Sequence, residues 1–344
     1  MEKEKIKNLS MVVPVNLTCP VNLTWEITGK CNLACSHCLS SGTMASCKNE
    51  LDTNSCKSFI DELSDLKVFQ VNIGGGEPFL RKDFIDILNH CHKKGIVTLI
   101  STNGTMINDN LAKILTQMKL TYIQISLDGA TAESNDKIRG AGSFEKAIKG
   151  IEALNQYGFK NLSINTVVTR VNYREIPELY RLGKYYKAKT RLSRFKPSGR
   201  GKDNWDKYYL TSAQIEELSN YLTECVADME GDSFFSISAE QRKNLALNLC
   251  GAAKMTCSLS PDGNVYPCAV LQEDRFCAGN ILERPFGEIW RNSPVFKTIR
   301  NLEINSCGKC TSFNLCHAGC IAIGMFLRDH LGQESSCINN VFKD

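Results

Sequence analysis

The chain has 344 residues, 42% hydrophobic and 23% charged, with 41 basic and 37 acidic side chains and a net charge of +4. This length holds one large core or two domains, and so mild and dispersed a charge argues against a nucleic-acid partner. No run of about 18 apolar residues occurs and the amino-terminal stretch lacks the apolar core of a signal peptide, so no membrane partner is expected and a soluble cytoplasmic protein is the expectation.

From Val21 to about Phe195 short apolar runs alternate with longer amphipathic ones. The runs at 21–28, 68–73, 96–101, 121–127, 162–169 and 190–195 are rich in Val, Ile and Thr and have strand length. Helix-like segments fall between them at about 53–66, 82–94, 108–118, 143–157 and 173–187, with Thr53 and Ser143 at N-cap positions and Gly95 and Gly158 at C-cap positions. Repeated β–helix–β crossovers make the sheet parallel, and six units suggest an open, partial (β/α)6 barrel, with a doubly wound sheet as the alternative. Thr211 and Gln214 read as a capping box opening one more helix. After about residue 235 the periodic elements shorten and Cys, Gly, Pro and Asn concentrate, the composition of a small domain held by metal. The expected divisions are an amino-terminal extension at 1–20, a core at 21–235 and a cysteine-rich domain at 236–344.

Seventeen cysteines in a reducing compartment argue for metal. Six of them (Cys19, Cys47, Cys56, Cys91, Cys225 and Cys277) are scattered and read as small apolar residues. Cys31, Cys35 and Cys38 follow the first strand. The loops "GGGEP" (74–78), "STNG" (101–104) and "SLDG" (126–129) follow the next three, so all four open on the carboxyl end of the sheet, where parallel α/β folds bind ligands. Three thiolates can bind three irons of a [4Fe–4S] cluster and leave the fourth iron open, the mark of a catalytic site. The alternative is a Cys3His zinc site using His37, although adjacent residues such as His37 and Cys38 converge poorly on one ion.

The spacing C-x3-C-x2-C after a first strand, with "GGGEP" downstream, resembles the signature of radical S-adenosylmethionine (SAM) enzymes. The resemblance implies that the open iron is chelated by SAM, whose reductive cleavage yields a 5′-deoxyadenosyl radical that takes a hydrogen atom from the substrate. It implies SAM contacts at Gly75, Gly76, Glu77, Ser126 and Asp128, with Asn103 and Arg139 as weaker candidates. Glycines 74 to 76 would let backbone approach the ligand, Glu77 would accept from the SAM ammonium, and Ser126 and Asp128 would meet its ribose or carboxylate.

The later cysteines, with "PDGNVYPC" at 261–268, resemble the SPASM domain of radical SAM enzymes that modify peptides and proteins. That resemblance implies two auxiliary [4Fe–4S] clusters, for three in all. The first would be held by Cys250, Cys257, Cys268 and Cys320, the second by Cys307, Cys310, Cys316 and Cys337. Both sets are complete, which favours electron transfer or structure over substrate ligation, and His317 could donate to a ligand sulfur.

"CNLACSHCLSS", "VNIGGGEP", "QISLDGATAESNDKIRG", "CGAAKMTC" and "CHAGC" together are similar to the mycofactocin maturase branch of these enzymes. This implies a precursor peptide ending in Val-Tyr, oxidative decarboxylation of the tyrosine, a Val–Tyr carbon–carbon cross-link, a small chaperone protein that presents the peptide, and an external electron donor. About 20 residues precede the first strand, too few for a peptide-binding domain. Rival readings are sulfatase-maturase-like side-chain oxidation, thioether formation, and a non-catalytic iron–sulfur electron carrier or scaffold. No proton-handling residue is assigned; Tyr122, Arg194, Lys196 and Tyr208 are candidates for the cavity, with Arg194 a possible partner of a substrate carboxylate.

Overall fold

Strand β1 (Asn22–Thr28) sets the architecture: Leu23, Trp25 and Ile27 are buried on one side, while Thr24 and Glu26 face the other. The computed structural model describes residues 17–45, 49–211, 213–214, 217–218, 250–301, 320–323 and 325–326. Helix α1 (Thr53–Asp65) covers the apolar side, and the ring of Trp25 meets Phe59 edge-on at 5.3 Å. The alternation then repeats: β2 (Gln70–Gly75), α2 (Phe84–Lys93), β3 (Val97–Thr102), α3 (Asp109–Thr116), β4 (Thr121–Ser126), α4 (Ala132–Arg139), α5 (Ser143–Gln156), β5 (Leu162–Val168), α6 (Ile176–Tyr185) and β6 (Lys189–Arg194). Two one-turn helices follow, α7 (Arg200–Asp203) and α8 (Trp205–Tyr208).

All six strands pair in parallel in sequence order, the open β/α sheet that the apolar runs imply. Val71, Ile73, Ile100, Ile123, Ile125 and Ile164 are fully buried on the helix side. This continuous apolar face is the main source of stability, each buried side chain contributing about 1.5–3 kcal/mol against exposure. The inner face is polar. Arg191 Nη1 donates to Gln124 Oε1 at 3.3 Å, Gln124 Nε2 donates to Ser101 Oγ at 3.2 Å, and Ser193 Oγ donates to Asn165 Oδ1 at 2.7 Å.

Several local expectations shift by a residue. Asp52, not Thr53, caps α1 by accepting from Ser55 N at 2.7 Å. Gly142 holds the cap position of α5 at φ 72°, while the Ser143 hydroxyl donates to Asp136 Oδ1 at 2.9 Å. Gly95 and Gly158 leave their helices at φ 73° and 78°, as C-cap glycines do. The capping box is reciprocal: Thr211 N reaches Gln214 Oε1 at 2.9 Å, and Gln214 N reaches Thr211 Oγ1 at 3.3 Å. Helix α4 was not expected; its polar sequence "AESNDKIR" carries little apolar periodicity.

Strand β7 (Thr256–Leu259) pairs in parallel with β1 and continues the same sheet. The antiparallel strands β8 (Asn264–Tyr266) and β9 (Gly279–Asn280) complete nine strands in the order β6-β5-β4-β3-β2-β1-β7-β8-β9. Helix α9 (Phe286–Asn292) packs beside α1, with Phe286 edge-on to Phe59 at 5.4 Å, and α10 (Pro294–Arg300) packs on α9, with Phe296 edge-on to Trp290 at 5.5 Å. No helix among the described residues is long and apolar enough to cross a membrane.

Candidate active site

The loop after β1 carries Cys31, Cys35 and Cys38 and is tied down along its length. Cys31 N donates to Thr43 O at 3.2 Å, Ser36 N to Ile138 O at 2.9 Å, and Cys38 N to Cys35 O at 3.2 Å. Arg200 Nε donates to Cys35 O at 2.7 Å, Asn204 Nδ2 to Ser36 O at 3.0 Å, and the Tyr208 hydroxyl lies 2.6 Å from Ser36 Oγ. These three residues, four apart along α7 and α8, form a clamp that sequence reading missed; the spacing of Arg200, Asn204 and Tyr208 was its only signal. Tyr208, expected as a cavity residue, is buried here instead.

The three thiols are near neighbours. Burial pushes Cys35 up to about 11 against the opposing Arg139 charge, and Cys38 and Cys31 add to the rise. Burial also raises Cys31, with Glu77 and Cys38 adding. Three neighbouring thiols on one short loop are a donor set that suits an iron–sulfur cluster.

The "GGGEP" segment packs against this loop. Gly76 N donates to Thr28 O and Glu77 N to Lys30 O, both at 2.7 Å. A Cβ on Gly76 would collide with the Lys30 carbonyl, and Gly75 adopts φ 108° with the Thr28 carbonyl in its way. Close approach of chain to chain thus requires glycine at both positions. Glu77 follows directly in the chain. Its carboxylate is fully buried, accepting from Thr102 Oγ1 at 2.7 Å, Asn103 N at 2.8 Å and Phe79 N at 3.3 Å. Burial outweighs these bonds and pushes its pKa to about 7.

Asp128 is also fully buried and presents no surface to a ligand. Its Oδ2 lies 2.7 Å from His37 Nε2 and 2.6 Å from Arg139 Nε, and its Oδ1 accepts from Val167 N at 2.7 Å. Burial opposes the charge, yet Arg139 and then His37 more than offset it and hold the carboxyl near a pKa of about 2. One carboxylate thus pairs with both His37, between two of the cysteines, and Arg139. Arg139 also lies close enough to Cys35 and Cys38 for their charges to interact, which places a cation beside the cysteine loop.

Asn103 stays at the site. Its Nδ2 donates to Asn32 Oδ1 at 2.8 Å and lies 3.9 Å from Cys31 Sγ. Ser126 ends β4 half-buried, on the inner face. Tyr122 is 46% exposed on that face. Arg194 pairs in register with Val168, which packs on the helix side, so Arg194 points away from the inner face. Arg191 pairs with Asn165 and takes the inner position instead. It is solvent-accessible, desolvation lowers its pKa, and no carboxylate partners it among the described residues.

Cys250, Cys268 and Cys320 lie together. Burial raises Cys250 and pushes Cys268 to about 12, and their shared neighbour Cys320 adds to both. Backbone N–H groups of Ile321 and Ala252 reach the Cys250 sulfur, and those of Val270 and Leu271 the Cys268 sulfur. Lys196 Nζ donates to Cys320 Sγ at 3.4 Å, which places this cavity candidate at the cysteine cluster. Cys257 is not among them. It is fully buried in the apolar core, in register with Leu23, and its titratable neighbours are Arg300 and Cys19. Cys307, Cys310, Cys316, His317 and Cys337 lie outside the described residues.

The first site fits an iron–sulfur cluster better than zinc. His37, the fourth ligand zinc would need, is turned to Asp128, with its Nε2 2.7 Å from Oδ2.

Residues 25–183 match the model of the Radical SAM superfamily, and residues 250–311 match SPASM, an iron–sulfur cluster-binding domain. The mycofactocin maturase MftC of Mycobacterium ulcerans is 41% identical over 331 residues, covering 94% of this chain and 89% of that protein. MftC of Mycolicibacterium smegmatis is 40% identical, covering 94% and 83%. An AdoMet-dependent heme synthase of Methanosarcina barkeri is 32% identical, covering 93% and 96%. Among solved structures, Streptococcus suis SuiB bound to precursor peptide SuiA superimposes with a TM-score of 0.75 at 22% identity, over 94% of this chain and 77% of that one. The anSMEcpe enzyme with bound AdoMet gives 0.68 at 22%, over 87% and 88%. At these identities the two structures establish a shared fold.

Proposed function

Since this chain belongs to the mycofactocin maturase family of radical SAM enzymes, we propose that it modifies the carboxyl-terminal end of a small ribosomally made precursor peptide, decarboxylating a terminal tyrosine oxidatively and joining it to the preceding valine. Enzymes of this family bind SAM and [4Fe–4S] clusters. Once bound, the cluster and SAM supply one-electron cleavage of the sulfonium and a hydrogen-abstracting radical.

The chain's own residues do the positioning. Cys31, Cys35 and Cys38 would hold three irons of the first cluster, on a loop fixed by Arg200, Asn204 and Tyr208. Arg139, held by Asp128, offers its guanidinium to the SAM carboxylate, and Asn103 and Ser126 offer polar groups beside it. The substrate occupies the inner face of the sheet. The observation that carries this reading is Arg191: an accessible guanidinium with no carboxylate partner among the described residues, held by Gln124 on the face onto which the cysteine loop opens. Arginine binds carboxylates bidentately, so Arg191 anchors the peptide's terminal carboxylate. The peptide reaches the site on a small chaperone protein, and an external donor supplies the electron. The heme synthases among the relatives show that this family also contains enzymes named for a non-peptide product, so the substrate needs a direct test.

That test is mass spectrometry of an anaerobic reaction holding SAM, a reductant, a Val-Tyr-ending peptide and its chaperone. The expected product has lost carbon dioxide and two hydrogens. Arg191→Ala is expected to lower peptide turnover at least 10-fold, on the ~1.5–3 kcal/mol of a charged hydrogen bond, while uncoupled SAM cleavage continues. An unchanged peptide beside steady 5′-deoxyadenosine formation in the native enzyme would reject the substrate.

A further inference from the structure

Glu26 is the only acidic residue in the six barrel strands, and it points to the inner face. It stands two residues before the end of β1, and its register partner on β2 is Gly74. A Cβ on Gly74 would meet Ser101 at 3.4 Å, and Ser101 pairs in register with Gln124, which holds the Arg191 guanidinium. Glu26 and the carboxylate anchor thus serve one level of the sheet, and the position next to Glu26 carries no side chain. Gln272 Nε2 donates to Glu26 Oε1 at 3.2 Å and approaches Ser258 Oγ at 3.4 Å, so an amide from the cysteine-rich region orients the carboxyl. With Oε1 accepting, a proton on this carboxyl sits on Oε2. Glu26 is 7% exposed, and burial pushes its pKa to about 7, so near neutral pH the group both carries a proton and can release it. The Ser101, Gln124, Asn165 and Ser193 side chains beside it are hydroxyls and amides, and the Arg191 guanidinium keeps its proton.

The reaction proposed above needs such a group at one point. Loss of carbon dioxide and two hydrogens leaves a carbon–carbon double bond in the former tyrosine. Once a hydrogen atom has been taken from valine, the valine carbon can bond to one end of that double bond, which leaves an unpaired electron at the other end. That carbon then needs one electron, from the external one-electron donor, and one proton. The cross-linked peptide therefore has the same composition as the double-bonded one. We propose that Glu26 is the catalytic acid of this step, delivering the proton from Oε2 to the former tyrosine carbon with its carboxyl oriented by Gln272. The carboxylate left behind regains its proton from water before the next turnover. Arg191 serves the earlier step, while the terminal carboxylate is still present. The assignment rests on the Val–Tyr reading.

The test compares the native chain with Glu26→Gln, each reconstituted and given SAM, a reductant, the Val-Tyr-ending peptide and its chaperone in light and heavy water. Glutamine keeps the size of the side chain but carries no acidic proton. The double-bonded and cross-linked peptides have equal mass, so the ultraviolet absorption of a double bond conjugated to the phenol ring tells them apart. The native chain in heavy water should give a cross-linked peptide with one carbon-bound deuterium. In Glu26→Gln the ratio of cross-linked to double-bonded peptide should fall about 100-fold or more, with the double-bonded peptide accumulating. An unchanged ratio, or a native product without carbon-bound deuterium, would overturn the proposal. Loss of the double-bonded peptide together with the cross-link would also overturn it, since Glu26 would then act before the cross-linking step. A native enzyme that leaves the peptide unmodified would instead reject the Val–Tyr reading itself.

Discussion

Glu26 shows what a single residue on the inner face costs and offers. It is buried opposite the helices, and its one recorded partner is Gln272, whose Nε2 donates to Oε1 at 3.2 Å. Burial pushes its pKa from 4.5 to about 7, with Gln272 opposing. A carboxyl whose folded pKa is raised gives its full contribution to stability below about 4.5 and loses it as pH rises through about 7. The loss is roughly 3 kcal/mol across that interval. Glu26→Gln should therefore melt at the same temperature as the native chain near pH 4.5 and above it at pH 8. Equal differences at both pH values would show that Glu26 ionises freely. Asp128 works in the opposite sense. Its pKa is depressed to about 2, so its contribution is present above the ordinary carboxyl range and lost only as pH falls through that value. Neither environment was legible in the sequence, where Glu26 is a single acid within an apolar run and Asp128 a single acid just after one. His37 had been weighed only as a zinc ligand. Its pairing with Asp128 joins residues 91 positions apart, which local spacing cannot reveal.

At the scale of elements, hydrophobic alternation exposed the fold because every strand buries one side under a helix. The six strands fall within two residues of their expected places for that reason. The periodicity was silent where packing does not set the pattern. Helix α4 is polar, yet it carries Arg139 and supplies the Ile138 carbonyl that receives Ser36. The clamp on α7 and α8 is likewise made of polar contacts from chain to loop. The glycine-rich segment was recognised, but its cause lies in chain packing. Gly76→Ala would drive a methyl group into the Lys30 carbonyl and displace the cysteine loop. A destabilisation of about 1–3 kcal/mol or more is expected from such overpacking, together with reduced iron loading after anaerobic reconstitution. Full loading and an unchanged melting temperature would mean that the loop tolerates the shift and that Gly76 serves the ligand after all.

At the scale of the molecule, β7 joins the cysteine-rich region to the barrel through β1, the strand that leads into the first cluster loop. The Trp25–Phe59–Phe286 contacts cross the same seam. Lys196, just beyond β6, reaches the Cys320 sulfur from the other edge of the barrel. Composition suggested a separate metal-held domain after residue 235, but a shared sheet edge leaves no trace in composition. The central claim is that a peptide's terminal residue lies on the inner face, within reach of the radical chemistry at Cys31, Cys35 and Cys38. It is tested most directly with a precursor peptide deuterated on the side chains of its last two residues, incubated anaerobically with SAM, reductant and the chaperone. Mass spectrometry of the 5′-deoxyadenosine should show deuterium gained in step with peptide modification. Modified peptide with unlabelled 5′-deoxyadenosine would place the abstracted hydrogen elsewhere and contradict this arrangement.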